Sequence, residues 1–245
     1  MKPRFFGITT KKNQKWATYQ SEQWRQKTIS PAPEEKAPAP FITISREYSC
    51  DGFPLGELVA DELNKTEPEE VLPWAVYDRM LLEKIEKDHG IQRVLLASLT
   101  EKTRTEISDF FTSALDIRLI QSSIYRKIFT TIRALAYQGH VIIIGRGAAV
   151  ATRGLKSGFH IRVYAPAEFK IKRVMEMHNL TSEKEARSML KKATQKREAF
   201  VRKYFKVNVN DPSIYHLMIN NADFSCEEMA DIILAALKIS RILEK

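Results

Sequence analysis

Apolar positions change period several times along the chain, and each change marks an element. Phe41-Ile42-Thr43-Ile44-Ser45 is a short β-branched run, followed by a small-residue loop and then by Leu55, Leu58, Val59 and Leu63 at helical spacing. The order predicted is strand, loop, helix. Trp74-Ala75-Val76-Tyr77 predicts a short second strand that stops at Asp78. From Met80 to about Tyr137 the apolar residues hold a helical period, with Gly90 and Gly139 placed as helix stops, which predicts a largely helical insertion. Its stripe, including Ile117, Ile120, Ile128, Ile132 and Leu135, reads as core. His140-Val141-Ile142-Ile143-Ile144 is continuously apolar, the mark of a central parallel strand covered on both faces. Phe159 to Tyr164 and Tyr215 to Asn220 supply a fourth and a fifth strand.

Between and after these strands, helices are predicted with Phe169, Ile171, Val174 and Met175 inward, and with Met229, Ile232, Ile233, Ala236 and Leu237 inward. Ser182-Glu183-Lys184-Glu185 and Ser225-Cys226-Glu227-Glu228 are capping-box patterns, in which serine and glutamate satisfy each other's free amides. Strands alternating with helices give an α/β fold with a doubly wound parallel sheet of about five strands. Residues 1–40 hold no sustained period and end in a proline-rich stretch from Ser30 to Pro40, which reads as a tail and linker ahead of a domain over 41–245. Trp16, Tyr19 and Trp24 argue against a fully solvated tail, and packing on the domain or on a second subunit both stay open.

With 245 residues, 44% of them hydrophobic, the chain is long enough for one well-buried domain with length to spare. Its formal net charge of +9 points to an acidic partner: nucleic acid, an anionic membrane or a small phosphorylated substrate. Cys50 and Cys226 alone make neither a disulfide scaffold nor a four-ligand zinc site, and no metal-ligand set is seen. Runs of about eighteen apolar residues and the apolar core of a secretory signal are both missing, which predicts a soluble cytoplasmic protein with no membrane partner.

Candidate chemistry gathers where strands end. The loop Ser49-Cys50-Asp51-Gly52-Phe53, with Gly56 beyond it, has the strand–loop–helix setting of a phosphate cradle, in which unpaired helix-start amides meet anionic oxygens. The lysine and hydroxyl pair that follows the glycines of a P-loop is missing. Asp78 and Arg79 sit at the carboxyl end of the second strand, an edge where ligands of open α/β sheets collect. Gly145-Arg146-Gly147 places a guanidinium fork between two permissive residues at the end of the third. Nine basic residues from Lys184 to Lys206 face only Glu185 and Glu198, which suggests an anion clamp. His140, His160 and His216 lack ligand spacing and read as structural.

In this order the sequence resembles the cytidylate kinase-like family of P-loop nucleoside monophosphate kinases. The residues that carry the resemblance are Ile44-Ser45-Arg46-Glu47-Tyr48, Val76-Tyr77-Asp78-Arg79, Ile143-Ile144-Gly145-Arg146-Gly147-Ala148, Val163 to Val174, and Asp211 to Asn220, within a span from Phe41 to about Leu237. The resemblance implies a three-layer P-loop NTPase-type fold with a helical lid over about 182–208. It implies ATP, with Mg2+ bound through its phosphates, at Ser49, Cys50, Asp51, Gly52, Phe53 and Gly56. A nucleoside monophosphate, CMP or dCMP first, would lie near Asp78, Arg79, Gly145, Arg146, Gly147 and Arg173. Arg146, Lys192, Arg197 and Arg202 would be catalytic. The loop departs from the family pattern at Ser49, Cys50 and Asp51, and Thr194 stands where related lids often carry an aspartate. A second reading is therefore a kinase-fold protein that binds nucleotide or another anion without efficient catalysis. A third is a nucleic-acid binder, and an oligomer through the N-terminal tail stays open.

Overall fold

The computed structural model describes residues 10–29, 39–66, 68, 71–87, 89–114 and 123–244. In chain order these form α1 (Lys11–Ile29), β1 (Phe41–Arg46), α2 (Phe53–Thr66), β2 (Ala75–Tyr77), α3 (Arg79–Lys87), α4 (His89–Ala97), α5 (Glu101–Ala114), α6 (Ser123–Gln138), β3 (Val141–Ile144), α7 (Ala148–Ala151), β4 (Gly158–Tyr164), α8 (Ala167–His178), α9 (Glu183–Phe205), β5 (Leu217–Asn220) and α10 (Cys226–Ser240). The five strands make one parallel sheet in the order β2-β3-β1-β4-β5. This is a doubly wound parallel arrangement, with helices on both faces of the sheet.

Strand pleating sorts the core into two layers. Ile42, Ile44, Ile142, Ile144, Ile161 and Val163 face α2 and α10, where Leu55, Val59, Ile233 and Leu237 meet them. Each such side chain contributes about 1.5–3 kcal/mol by leaving water. On the opposite face Phe41, Tyr77, Val141 and Ile143 pack under Leu82 of α3, Leu95 of α4, and Phe129, Ile132 and Leu135 of α6. In β4 the positions between the apolar ones are His160 and Arg162, both buried. That is where the helical layer gives way to a cleft.

Residues 11–29 are not a loose tail but a helix against the sheet edge. The Asn13 side-chain amide donates to Val76 O at 2.8 Å and accepts from Val76 N at 2.7 Å, pairing edge strand β2 as another strand would. Gln20 donates to Pro73 O and His140 O and accepts from Tyr77 Oη at 2.6 Å, and Trp24 is 1% exposed. Apolar periodicity misses α1 because amide side chains dock it together with only a few apolar ones, Trp16, Ala17 and Trp24.

Gly139, at φ +72°, follows α6 as its predicted stop, whereas Gly90 lies within α4. Strand β3 begins after His140, whose φ is +52°, and β5 begins after Tyr215 and His216. Ser225 and Glu228 form the full capping box, while Ser182 makes its half of one by accepting from Glu185 N. The linker over 30–38 and the positions Ile117 and Ile120 lie outside the described residues. Among the described residues no helix is long and apolar enough to cross a membrane.

Candidate functional site

A cleft of about 490 Å3 opens at the carboxyl ends of β1, β3 and β4, with α9 forming its far wall. Among the described residues Arg46, Arg79, Arg146, Arg162, Lys196 and Arg197 line it, against only Glu47 and Glu198. Both carboxylates are engaged, Glu47 by Lys170 and, at 3.7 Å, by Arg162, and Glu198 by the Asn210 amide at 3.0 Å. The cleft therefore carries a surplus of cationic donors.

Arg146 stands on a turn in which Gly145, Arg146 and Gly147 all have left-handed backbones, with φ of 74°, 55° and 69°. Flanking glycines make such a run accessible. A Cβ on Gly147 would lie 2.6 Å from the Phe205 ring, so the end of α9 rests directly on this turn. Arg146 Nη2 bonds Glu83, and its buried Nε has no hydrogen-bond partner. Burial, then the charge of Arg79, lowers its pKa.

Arg46, the last residue of β1, sends its side chain between the first loop and this turn. Burial and then Arg197 lower its pKa to about 9, which leaves it cationic near neutrality. Arg197 donates to Arg46 O at 3.1 Å and lies 5.2 Å over the Tyr48 ring, while Tyr48 Oη pairs with His178 Nε2 at 2.8 Å. Arg162 donates to Ser45 Oγ at 3.0 Å and to Asn210.

The first loop is held mainly by α8 and by the turn after β5. Asp51 is gripped by Arg173 and by Asn221, whose Oδ1 also takes the Asp51 amide at 2.8 Å. Ser49, at φ 66°, donates to Lys170 O. Cys50 is partly buried, its thiol pushed up to about 12 by burial and then by Glu47. Phe53 is buried, and Gly56 is a packing residue, since a Cβ there would lie 3.1 Å from Ile144 and Val76. Gly52 lies against Arg46, but none of Ser49, Cys50, Asp51, Gly52, Phe53 and Gly56 is among the residues that line the cleft.

Of the residues singled out in the sequence, Arg79, Gly145, Arg146, Gly147 and Arg197 meet in the cleft. Arg173 does not, being spent on Asp51, and Lys192 and Arg202 are exposed on α9 outside it. Asp78 is buried beneath the cleft, where its carboxylate accepts from Leu81 N at 2.9 Å and burial raises its pKa. Arg46, Arg162 and Tyr215 were given no site role, and Lys196 only a share in the basic run read as an anion clamp. Arg46 and Arg162 had a signal: each is a cation in a strand with a largely apolar sequence, where a buried charge is costly without a partner.

The donor set fits phosphate oxygens, since guanidinium forks match their geometry. Among the described residues no group of three or more His, Cys, Asp or Glu is placed to hold a metal ion, and Asp51 is paired with Arg173.

Comparison with known proteins agrees with this architecture. A cytidylate kinase of Methanocaldococcus jannaschii is 22% identical over 161 residues, covering 65% of this chain and 88% of that protein. The crystal structure of an uncharacterized protein from Eubacterium ventriosum superposes with a TM-score of 0.61 at 20% identity, over 82% of this chain and 98% of that one, which shows a shared fold. The pattern of the cytidylate kinase-like family matches residues 41–223, and the chain belongs to that family.

Proposed function

We propose that the protein transfers the terminal phosphoryl group of ATP to a nucleoside monophosphate, with CMP or dCMP the first acceptors to try. One observation carries this: Arg46, Arg146 and Arg197, drawn from a strand end, a left-handed turn and a crossing helix, line one cleft whose two carboxylates are already engaged. In phosphoryl transfer a phosphate oxygen of the acceptor attacks, the bond from the γ-phosphorus to the bridging oxygen breaks, and ADP leaves. Such chemistry needs alignment and cations that meet the migrating charge more than it needs covalent help. Arg146, fixed by its turn and by Glu83, would align the acceptor phosphate. Arg197 would meet the transferred group, and α9 would keep water, a competing acceptor, out of the cleft. Mg2+, carried on the nucleotide, would shield the β- and γ-phosphates.

Purified protein with Mg2+, ATP and a panel of monophosphates should form ADP only with the right acceptor. If no acceptor is consumed and neither ATP nor CMP raises the melting temperature, the reading falls. The loop supports a second reading, nucleotide or anion binding without efficient transfer, because Asp51, Arg173 and Asn221 close on one another and no lysine follows the glycine. Binding without turnover would favour it.

A further inference from the structure

The phosphate loop lacks a lysine, and the structure offers a cation that enters from the other side. We propose that Arg46 takes the lysine's part, its guanidinium binding the transferred phosphoryl group directly at the mouth of the loop; the inference rests on the phosphoryl-transfer reading above.

The slot that holds Arg46 is made by two glycines. A Cβ on Gly52 would lie 3.0 Å from Arg46 Nε, and one on Gly145 would lie 1.9 Å from Nη1. Any side chain at either place would push the guanidinium aside, so the loop and the β3 turn together fix where its fork sits. Among the described residues no atom accepts a hydrogen bond from that fork. A guanidinium carries five N–H donors, and leaving them unspent in a partly buried place is unfavourable. Its cationic neighbours Arg197 and Arg146 add repulsion, against which Asp78 acts in the opposite sense. A phosphate would relieve both effects at once, with two parallel hydrogen bonds.

No other cation of the loop is free for the task. Arg173 is held by Asp51, and Lys170 by Glu47. After Gly52 the chain runs Phe53-Pro54-Leu55, of which Phe53 and Leu55 are buried apolar residues. The usual P-loop cation comes from the helix that follows the loop, whereas here it comes from the strand that precedes it.

The test uses inorganic pyrophosphate and ATP as probes of the full chain. Arg46→Met should weaken pyrophosphate binding roughly 10- to 100-fold, the effect of losing charged hydrogen bonds. Without anion the variant should melt at or above the wild-type temperature, because a partly buried guanidinium repelled by Arg197 and Arg146 has been removed. A merely structural arginine would give the opposite, a marked loss of melting temperature with unchanged affinity, and that result overturns the proposal. The wild type supplies a second measurement that needs no variant: the Arg46 side-chain Nε–H NMR signal should move on adding pyrophosphate. Movement of the Arg146 and Arg197 signals alone overturns the role of Arg46 and leaves the kinase reading intact. An Arg46 shift with no acceptor consumed supports Arg46 and removes the kinase reading. Failure of the wild type to bind either probe overturns both.

Discussion

Arg173 grips Asp51 through two parallel bonds, Nη1 to Oδ2 and Nη2 to Oδ1, both 2.7 Å long. A carboxylate in a phosphate loop would repel the ligand, and this pair neutralises it. Both side chains are largely buried, so Arg173→Ala should cost about 2 kcal/mol, between the values for exposed and buried pairs. Restoring neutrality with Asp51→Asn in the same chain should recover part of it. A urea-unfolding double-mutant cycle checks this, and a coupling near zero would show that the pair is incidental.

Arg146→Ala should keep the fold and lose transfer. The left-handed backbone at φ 55° disfavours alanine about as much as arginine, so the substitution adds little strain. With the preferred acceptor, turnover should fall by about 100-fold or more, the scale of losing one charge-stabilising donor, while the melting temperature stays close to wild type. Undiminished turnover would remove Arg146 from the chemistry.

His160 sets an acid limit on stability. Its Nδ1 pairs with Thr43 Oγ1 at 2.9 Å, its backbone amide donates to His216 Nδ1, and burial, then His216, pushes its pKa down to about 4 from the usual 6.5. The unfolded chain therefore binds the proton first, and stability falls as pH drops from about 6.5 towards 4. Between pH 7 and pH 5 the loss should be roughly 2 kcal/mol, and His160→Asn should flatten that part of the profile. Urea unfolding at the two pH values measures it, and an equal slope in the variant would contradict the assignment.

Asn13→Ala should open the sheet at β2. Both backbone groups of Val76 lose their partner, which costs about 1–3 kcal/mol. Hydrogen exchange at the Val76 amide should accelerate, while exchange at Ile142 and Ile144, deeper in the sheet, changes only with global stability. Unchanged exchange at Val76 would mean that α1 does not hold this edge.

Much of the fold was legible because apolar period follows directly from backbone geometry. Val141 to Ile144 could only be an interior strand, and Leu55, Val59 and Leu63 only one face of a helix. The helix over 11–29 was not legible, since side-chain amides such as those of Asn13 and Gln20 look like ordinary surface residues until their backbone partners are known. The site was legible in part. Gly145-Arg146-Gly147 announced itself by local chemistry, and Arg197 by its basic surroundings.

By itself, then, the sequence determined most of the strands and helices, that they alternate into a parallel sheet, and that the chain carries a surplus of positive charge. Tertiary structure alone decided which cations share the cleft. Lys192 and Arg197 lie five positions apart on one helix, yet only Arg197 reaches Arg46, because a helix turns by about 100° per residue and the packing of α9 chooses the face. Arg173 and Asp51, 122 positions apart, found each other instead of a ligand. Charge is written in the sequence, but the distance between charges is set only when the sheet and helices have packed.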